Sequence, residues 1–412
     1  MTHPENEGML SPYRVLDLTD EKGLLCGKLL GDLGADVIKI ERPSGDPARN
    51  MGPFYHDEVD PEKSLFWFAY NTSKRGITLD IEAADGQEIF KRLVKGADFI
   101  IESFAPGYMD KFGLGYVSLE KINPRLIMVS ITPFGQTGPY KDYKAPDIVA
   151  WAMGGRMYSV GDADRPPVRI SHHSQAYLQA GLEAAMAAMM ALYYRQMTGE
   201  GQQVDLSIQA AAAQPSNTSW DIRQIVPQRG TQTYNINVPR IWPCKDGLVT
   251  WYFMPGELSA RRNVAFVNWL DSEGMANDFL KGFDWNTFDY AAITQEVMDR
   301  IAEPTAKFFM SHTKTELLEG AVKHRILFYP QFTTANILES VQLRARGYWV
   351  EIEHPELDTT ITYPGAFVQA SETPPRISRR APLIGEHNQE IYERELGISK
   401  EELLRLKQDS II

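Results

Sequence analysis

Between Tyr13 and Thr132 the chain repeats one pattern, a short run of Val, Ile and Leu alternating with helical or polar segments. The runs "YRVLDLTD", "DVIKIER", "GITLDI", "DFIIESF" and "LIMVSIT" read as strands. "GLLCGKLLGDLGA", with Gly34 as its expected C-cap, and "ADGQEIFKRLVKGA" read as helices. Strands this apolar are buried on both faces, so the alternation predicts a parallel, doubly wound α/β sheet. Sheets of that kind bind ligands beyond the carboxyl ends of their strands.

At 412 residues the chain suits one large and one smaller domain. We expect a large Rossmann-like domain over 1–214, a small α+β domain over 215–334 and a third segment over 335–412. The segment Gln175–Met197 is apolar nearly all round and is expected to be a buried helix. "TGEGQQVDLSIQ" follows as a turn and a strand. Aromatic-rich strands in "IWPCKDGLVTWYFM" then precede helices around Asn263–Leu280 and Gln295–Ser311. The tail turns β-like in "YWVEIEHPELDTTITYPGAFVQ" and ends in the helix "SKEELLRLKQ".

A net charge of −12 argues against a nucleic-acid or acidic-membrane binder. The apolar run from Ala180 to Leu192 is too short to span a bilayer and contains Glu183. Two cysteines, Cys26 and Cys244, without CxxC or Cys/His spacing predict a reduced, cytoplasmic protein with no structural zinc. The polar start "MTHPENEGMLSPY" is not a signal peptide.

Few motifs for chemistry stand out. His172 and His173 are adjacent, so their side chains diverge, and no HxxxH or ExxH spacing supports a metal site. P-loop, GxSxG and GxGxxG motifs are absent, which argues against nucleotide hydrolysis, a serine nucleophile and a nicotinamide cofactor. Lys39, Arg42, Arg49, Lys74 and Arg75 fall at the edges of the expected strands. They fit either a solvated loop face or an anion site, and composition leaves both readings open.

Several segments together carry a resemblance. "LLGDLGADVIKIERPSGDPAR", "NTSKRGITLDI", "GADFIIESFAPG", "LIMVSITPFGQTGPY", "PDIVAWAMGG", "TGEGQQVDLSIQ", "LRARGYWVEIEHP" and "APLIGEHN" resemble, in order and over almost the whole chain, the class III CoA-transferases of the formyl-CoA transferase and carnitine CoA-transferase type. The resemblance implies an open-ring protomer, with 335–412 as a return segment on the large domain, interlocked with a second one. It also implies chemistry in which an aspartate carboxylate attacks a donor thioester, giving an aspartyl anhydride and CoA thiolate. CoA then passes through an aspartyl-CoA thioester to the acceptor acid. Coenzyme A thioesters are the substrates, and neither metal nor redox cofactor is implied.

The aspartate itself is missing. In "RISHHSQAYLQAG" its position, counted back from Gly181 or from Thr198, falls on Tyr177. A phenol with an ordinary pKa near 10 is almost wholly neutral at neutral pH and does not substitute for a carboxylate. Asp162 and Asp164 are the nearest fallback carboxylates, beyond the Pro166–Pro167 turn. The region that corresponds to the family's glycine-rich loop reads "RGTQTYNINVPRIWPCKDG", with one glycine before the strand. The racemase relatives pair the aspartate with a histidine before Asp-Ile, but here Pro146 precedes Asp147 and Ile148, so racemization is not expected.

Arg42, Lys74, Arg75 and Phe104 match positions that contact CoA in the family. Lys111 stands for an arginine and Ser103 for an asparagine. These matches imply a retained CoA site, and His172, His173 and Tyr177 are expected to line a non-reacting cavity. The reading that follows is a subunit without catalytic residues, paired with a homologous chain that bears the aspartate. The arrangement resembles heteromeric family members that move CoA from succinyl-CoA to an aryl-substituted succinate. An autonomous transferase using Asp162 or Asp164, and an acyl-CoA-binding protein, are the alternatives.

Overall fold

The computed structural model describes residues 8–161, 165–214 and 236–412. The chain divides into two compact units, Met1–Arg229 with Ala345–Ile412, and Gly230–Arg344. Residues 335–344, expected in the return segment, thus belong to the smaller unit; the one-turn helix Thr334–Leu338 lies within it, and the helix Val341–Ala345 ends at its boundary.

Six strands form the sheet of the large unit: β1 (Arg14–Leu18), β2 (Asp36–Glu41), β3 (Lys74–Thr78), β4 (Phe99–Glu102), β5 (Ile127–Thr132) and β6 (Gln202–Ser207). All pair in parallel in the order β3-β2-β1-β4-β5-β6. This is the doubly wound order, whose direction of winding reverses between β1 and β4. Alternation along the strands feeds two cores. Val15, Val37, Phe99, Ile101, Ile127 and Val129 bury on one face. Leu16, Ile38, Ile77, Ile100 and Met128 bury on the other.

Helices α1 (Leu24–Asp32), α2 (Leu65–Tyr70), α3 (Ala84–Val94), α4 (Tyr116–Leu119), α5 (Asp147–Met153), α6 (Gln175–Thr198) and α7 (Ile208–Ala213) complete the layers. α6 presents Ala176, Ala180, Ala184, Ala188 and Ala191 to the core, a spacing that keeps small residues on one face. Gly181 lets α1 approach closely, since a Cβ there would stand 3.0 Å from the Leu25 Cβ. The all-round burial expected for α6 does not hold in this chain. Leu182, Met186, Met190, Tyr193 and Met197 are exposed, and Met190, Tyr193 and Met197 by 66, 71 and 71 %.

After a β-hairpin of β10 (Trp349–His354) and β11 (Thr359–Pro364), the chain packs back onto the β3 edge. The His387 N–H donates to the Gly76 carbonyl at 2.9 Å, and the Tyr392 hydroxyl donates to the Thr78 carbonyl at 2.6 Å. Gly76 is required by this contact, because a Cβ there would meet the Pro382 ring at 2.8 Å. The smaller unit holds the three-stranded antiparallel sheet β7 (Ile241–Cys244), β8 (Gly247–Thr250) and β9 (Tyr329–Pro330) beside helices Glu257–Ser272, Gln295–Ser311 and Lys314–His324. Its core is aromatic, built around Trp242, Trp251, Phe253, Phe266, Trp285 and Phe308. Among the described residues no helix is long and apolar enough to cross a membrane.

Candidate functional site

At the β1/β4 switch point the two strands leave the sheet on diverging paths. The crevice is stitched by Asp20 and Ser103: the Asp20 N–H donates to Ser103 Oγ at 2.9 Å, and that hydroxyl donates to Asp20 Oδ1 at 2.7 Å. Glu102, the last residue of β4, accepts the Phe104 N–H at 2.7 Å. Burial pushes its carboxyl up to about 7, against the opposing pull of hydrogen bonds from Ser130 and Phe104.

Three cavities follow one another along this edge. The first, about 260 Å³, lies over β1–β3 and is lined by Arg42, Glu82, Phe104 and Tyr108 among others. The Phe104 and Tyr108 rings stack with centroids 4.6 Å apart and planes 24° from parallel. Arg42 Nη2 donates to Glu82 Oε1 at 2.9 Å, and its side chain is 64 % exposed. A stacked aromatic pair beside an available guanidinium suits a planar heterocycle carrying phosphates. Glu82 competes for that guanidinium, so a phosphate must displace it.

The second cavity, about 380 Å³, shares Phe104 with the first and adds Lys22, Lys141 and Lys144. The third, about 290 Å³, shares Glu21 and Tyr177 with the second. It is walled by Leu24, Leu25, Leu65, Phe66 and Leu178, with His172 and His173 also in its lining. The two histidine side chains, expected to diverge, instead place their rings 3.8 Å apart, and both are exposed.

Tyr177 sits in the first turn of α6, 7 % exposed. Its hydroxyl donates to the Ala145 carbonyl at 3.3 Å. Burial, with the Glu21, Asp20 and Asp147 carboxylates nearby, raises the phenol further above its ordinary range. The side chain is therefore a neutral, anchored ring. Asp147, at the start of α5, caps α6 through space: its Oδ1 accepts the N–H groups of Ala176 at 2.8 Å and Tyr177 at 3.1 Å.

The basic residues divide differently from either sequence reading. Lys39, Arg49, Lys74 and Arg75 are all buried, so they form no solvated loop face. Lys74 lies inside β3, and its ammonium is held by Asp17 Oδ2 at 2.8 Å, the Leu24 carbonyl at 2.9 Å and Asn71 Oδ1 at 2.9 Å. All three of its protons are engaged. Arg75 binds Asp36 at 2.7 Å and Glu390 at 2.6 Å, clamping the return segment to β3. Both were expected to contact CoA, and both are held here in structural ion pairs that such a contact would have to break. Lys111 is exposed on the short helix Met109–Phe112 but does not line the first cavity. Asp162 and Asp164 lie outside the described residues, as do 229–235 of the region matched to the glycine-rich loop.

Sequence reasoning missed Tyr108, Glu21 and the lysines of the second cavity. Tyr108 could have been found from its four-residue spacing to Phe104. Glu21 and the lysines carry no pattern and are joined only by the fold. Among the described residues no group of three or more His, Cys, Asp or Glu is arranged to hold a metal ion.

The sequence model of CoA-transferase family III matches residues 10–388. A subunit of succinyl-CoA:(R)-benzylsuccinate CoA-transferase from Thauera aromatica is 35 % identical over 395 residues, covering 92 % of this chain and 93 % of its own. Succinyl-CoA–D-citramalate CoA-transferase from Chloroflexus aurantiacus is 31 % identical, with 98 % of each chain covered. The crystal structure of a CAIB/BAIF family protein from Brucella suis superposes with a TM-score of 0.80 at 29 % identity, covering 94 % of this chain and 99 % of the other.

Proposed function

The chain belongs to CoA-transferase family III, and we propose that it is the subunit without a nucleophile in a heteromeric enzyme of that family. The observation that carries this reading is Tyr177. At the position matched to the family aspartate stands a buried ring whose hydroxyl is already donated to Ala145. Attack on a thioester needs an available anion, and a phenol raised above its ordinary range supplies none at neutral pH.

In the proposed complex a homologous partner contributes the aspartate. Its carboxylate oxygen attacks the donor thioester carbonyl, the C–S bond breaks, and the CoA thiolate leaves an acyl–aspartyl anhydride. The thiolate then attacks the aspartyl carbonyl, releasing the donor acid and leaving an aspartyl-CoA thioester. The acceptor carboxylate repeats the sequence in reverse, so CoA leaves on the acceptor and the aspartate is regenerated. No metal or redox group enters this sequence. The present chain contributes the second half of an interlocked dimer. The exposed stripe of α6 supports that role, as a large apolar face in need of cover.

On this reading Arg42, Phe104 and Tyr108 receive the nucleotide end of CoA, with the second cavity's lysines along its phosphates. Succinyl-CoA is the proposed donor and (R)-benzylsuccinate the proposed acceptor, on the strength of the 35 % identical relative. The setting would be anaerobic breakdown of aromatic compounds in the cytoplasm, which two buried free thiols fit.

The test is native mass spectrometry of the complex captured through a tag on this chain in its own host, with a CoA-transfer assay on the isolated chain. A dimer with a second, homologous chain and no activity from this chain alone is expected. A homodimer that transfers CoA by itself overturns the proposal and points to Asp162 and Asp164. CoA binding with neither partner nor transfer leaves an acyl-CoA-binding protein.

A further inference from the structure

Three loops meet at the rim of the first cavity. Arg42 follows β2, Glu82 follows β3 and Tyr108 follows β4, each beyond the carboxyl end of its strand. One atom joins them: Glu82 Oε1 accepts from Arg42 Nη2 at 2.9 Å and from the Tyr108 hydroxyl at 2.6 Å. The backbone of Glu82 is pinned as well. Its N–H donates to Asp80 Oδ1 at 2.9 Å, and its carbonyl accepts the Gln87 side-chain amide at 3.0 Å. The carboxylate is thereby held at the hydroxyl edge of the Phe104–Tyr108 stack.

The surroundings of this site are acidic. Among the described residues lining the cavity, Arg42 is the one Lys or Arg, against Asp20, Glu41, Asp46, Asp80 and Glu82. Glu41 and Asp46 are answered by buried cations, Arg49 at 2.6 Å and Lys39 at 3.0 Å. Glu82 is paired with Arg42 itself, so it contends with any anionic ligand for the guanidinium.

A base stacked on the ring pair brings its ribose to the edge where Glu82 stands. An ionised carboxylate offers acceptors and no donor, so it suits free ribose hydroxyls. The acidic residue that reads the ribose hydroxyl in doubly wound dinucleotide-binding folds works in this way, whereas a phosphorylated ribose is received there by an arginine. Here the arginine is already engaged. A ribose phosphate has to take Arg42 from Glu82, and it then leaves the carboxylate facing a second anion without its cation.

We infer that Glu82 is a specificity-determining residue: the first cavity takes an adenine nucleotide whose ribose hydroxyls are free in preference to one phosphorylated at the 3′ position. Coenzyme A carries that 3′-phosphate, so this chain holds 3′-dephospho-CoA more tightly than CoA. The inference rests on the reading that the first cavity receives the nucleotide end, and it adds to that reading which nucleotide the cavity favours.

The test is isothermal titration calorimetry of the full chain with CoA and with 3′-dephospho-CoA at low salt. The wild-type chain should bind the dephospho form about three- to tenfold more tightly, the range set by an exposed ion pair and its hydrogen bonds. High salt should shrink the preference, because both side chains are largely exposed, at 64 and 47 %. Glu82→Gln keeps an acceptor for Tyr108 and removes the charge. It should tighten CoA about three- to tenfold, leave 3′-dephospho-CoA within about twofold and leave thermal stability unchanged. Glu82→Lys should make CoA the tighter ligand. Equal or tighter binding of CoA by the wild-type chain overturns the inference, as does a preference that survives Glu82→Gln or the absence of binding by either ligand. Phe104→Ala reports on the placement by itself: unchanged affinity for both ligands takes the nucleotide out of the first cavity, and the inference falls with it. A homodimer active in transfer sinks the subunit reading instead and leaves the measured preference standing.

Discussion

Asp147 Oδ1 accepts the backbone N–H of Tyr177 at 3.1 Å, so one carboxylate on α5 fixes the residue that stands in the family nucleophile position on α6. The Ala176 N–H shares the same oxygen at 2.8 Å. Two of the four unpaired amides that any helix N-terminus presents are thereby satisfied by a residue about thirty positions earlier. Asp147→Ala should cost about 1–2 kcal/mol, the usual worth of an N-cap, measured by urea denaturation. An unchanged midpoint would mean that other groups or water satisfy these amides equally well.

The Phe104–Tyr108 pair, 4.6 Å apart, is expected to hold an aromatic base. Removing one stacking partner from a bound base costs about 1–3 kcal/mol. Phe104→Ala should therefore weaken CoA five- to a hundredfold in calorimetry without altering thermal stability by more than a few degrees. Arg42→Ala should weaken it less at high salt than at low salt, because its side chain is largely exposed. Equal CoA affinity in both variants would remove the first cavity from the CoA site.

Lys74 should behave as a residue of the fold. Lys74→Met strands the Asp17 carboxylate without its nearest cation in a site where both side chains have 0 % exposure. Breaking a buried pair from one side costs about 3–5 kcal/mol, whereas replacing both partners by apolar groups costs less. Denaturation of Lys74→Met and of Asp17→Leu/Lys74→Met should show the double variant less destabilised than the sum of the single losses. A Lys74→Met protein of normal stability that has lost CoA affinity would return Lys74 to the ligand site.

The contrast between Lys74 and Phe104 shows what a sequence can disclose. Both lie in family-like segments, and both strands were readable from their apolar runs. The apolar strand runs of the sheet and the α6 helix follow from periodicity and local signals that act within ten residues, whereas the return segment was implied only by the family resemblance. Whether a lysine meets solvent or Asp17 depends on pairs fifty-seven positions apart, which no local pattern encodes. The same holds for the three cavities. Tyr177, His172 and His173 are close in sequence and were grouped from it, but Glu21 and Leu65 join them only through the packing of α1 and α2 beside α6.

Glu102 gives the large unit a dependence on pH. Burial raises its carboxyl from an ordinary value of 4.5 up to about 7, so the fold favours the protonated form. A raised acid stabilises fully below the unfolded value, and that contribution is lost as pH climbs through the folded one. The whole shift corresponds to about 3 kcal/mol. Relative to Glu102→Gln, the wild-type chain should lose roughly that stability between pH 4 and pH 8 in urea denaturation. A difference that stays flat across the interval would show that the Glu102 carboxyl holds its proton equally well in the folded and the unfolded chain.

The exposed face of α6 leads to the last expectation. Leu182, Met186, Met190, Tyr193 and Met197 follow steps of four, four, three and four, which line one side of a helix. Met186 and Met190, 56 and 66 % exposed, lie in the middle of the stripe. Burying a methionine contributes about 1.5–3 kcal/mol, and a lysine at the same place brings a charge that an apolar contact does not accept. Met186→Lys with Met190→Lys should therefore shift assembly by at least a hundredfold in concentration, read by analytical ultracentrifugation of the complex. Circular dichroism should show an unchanged fold, because neither side chain belongs to the inward alanine face. A complex that assembles normally with both lysines in place would mean that the partner covers a different surface and that the α6 stripe serves no interface.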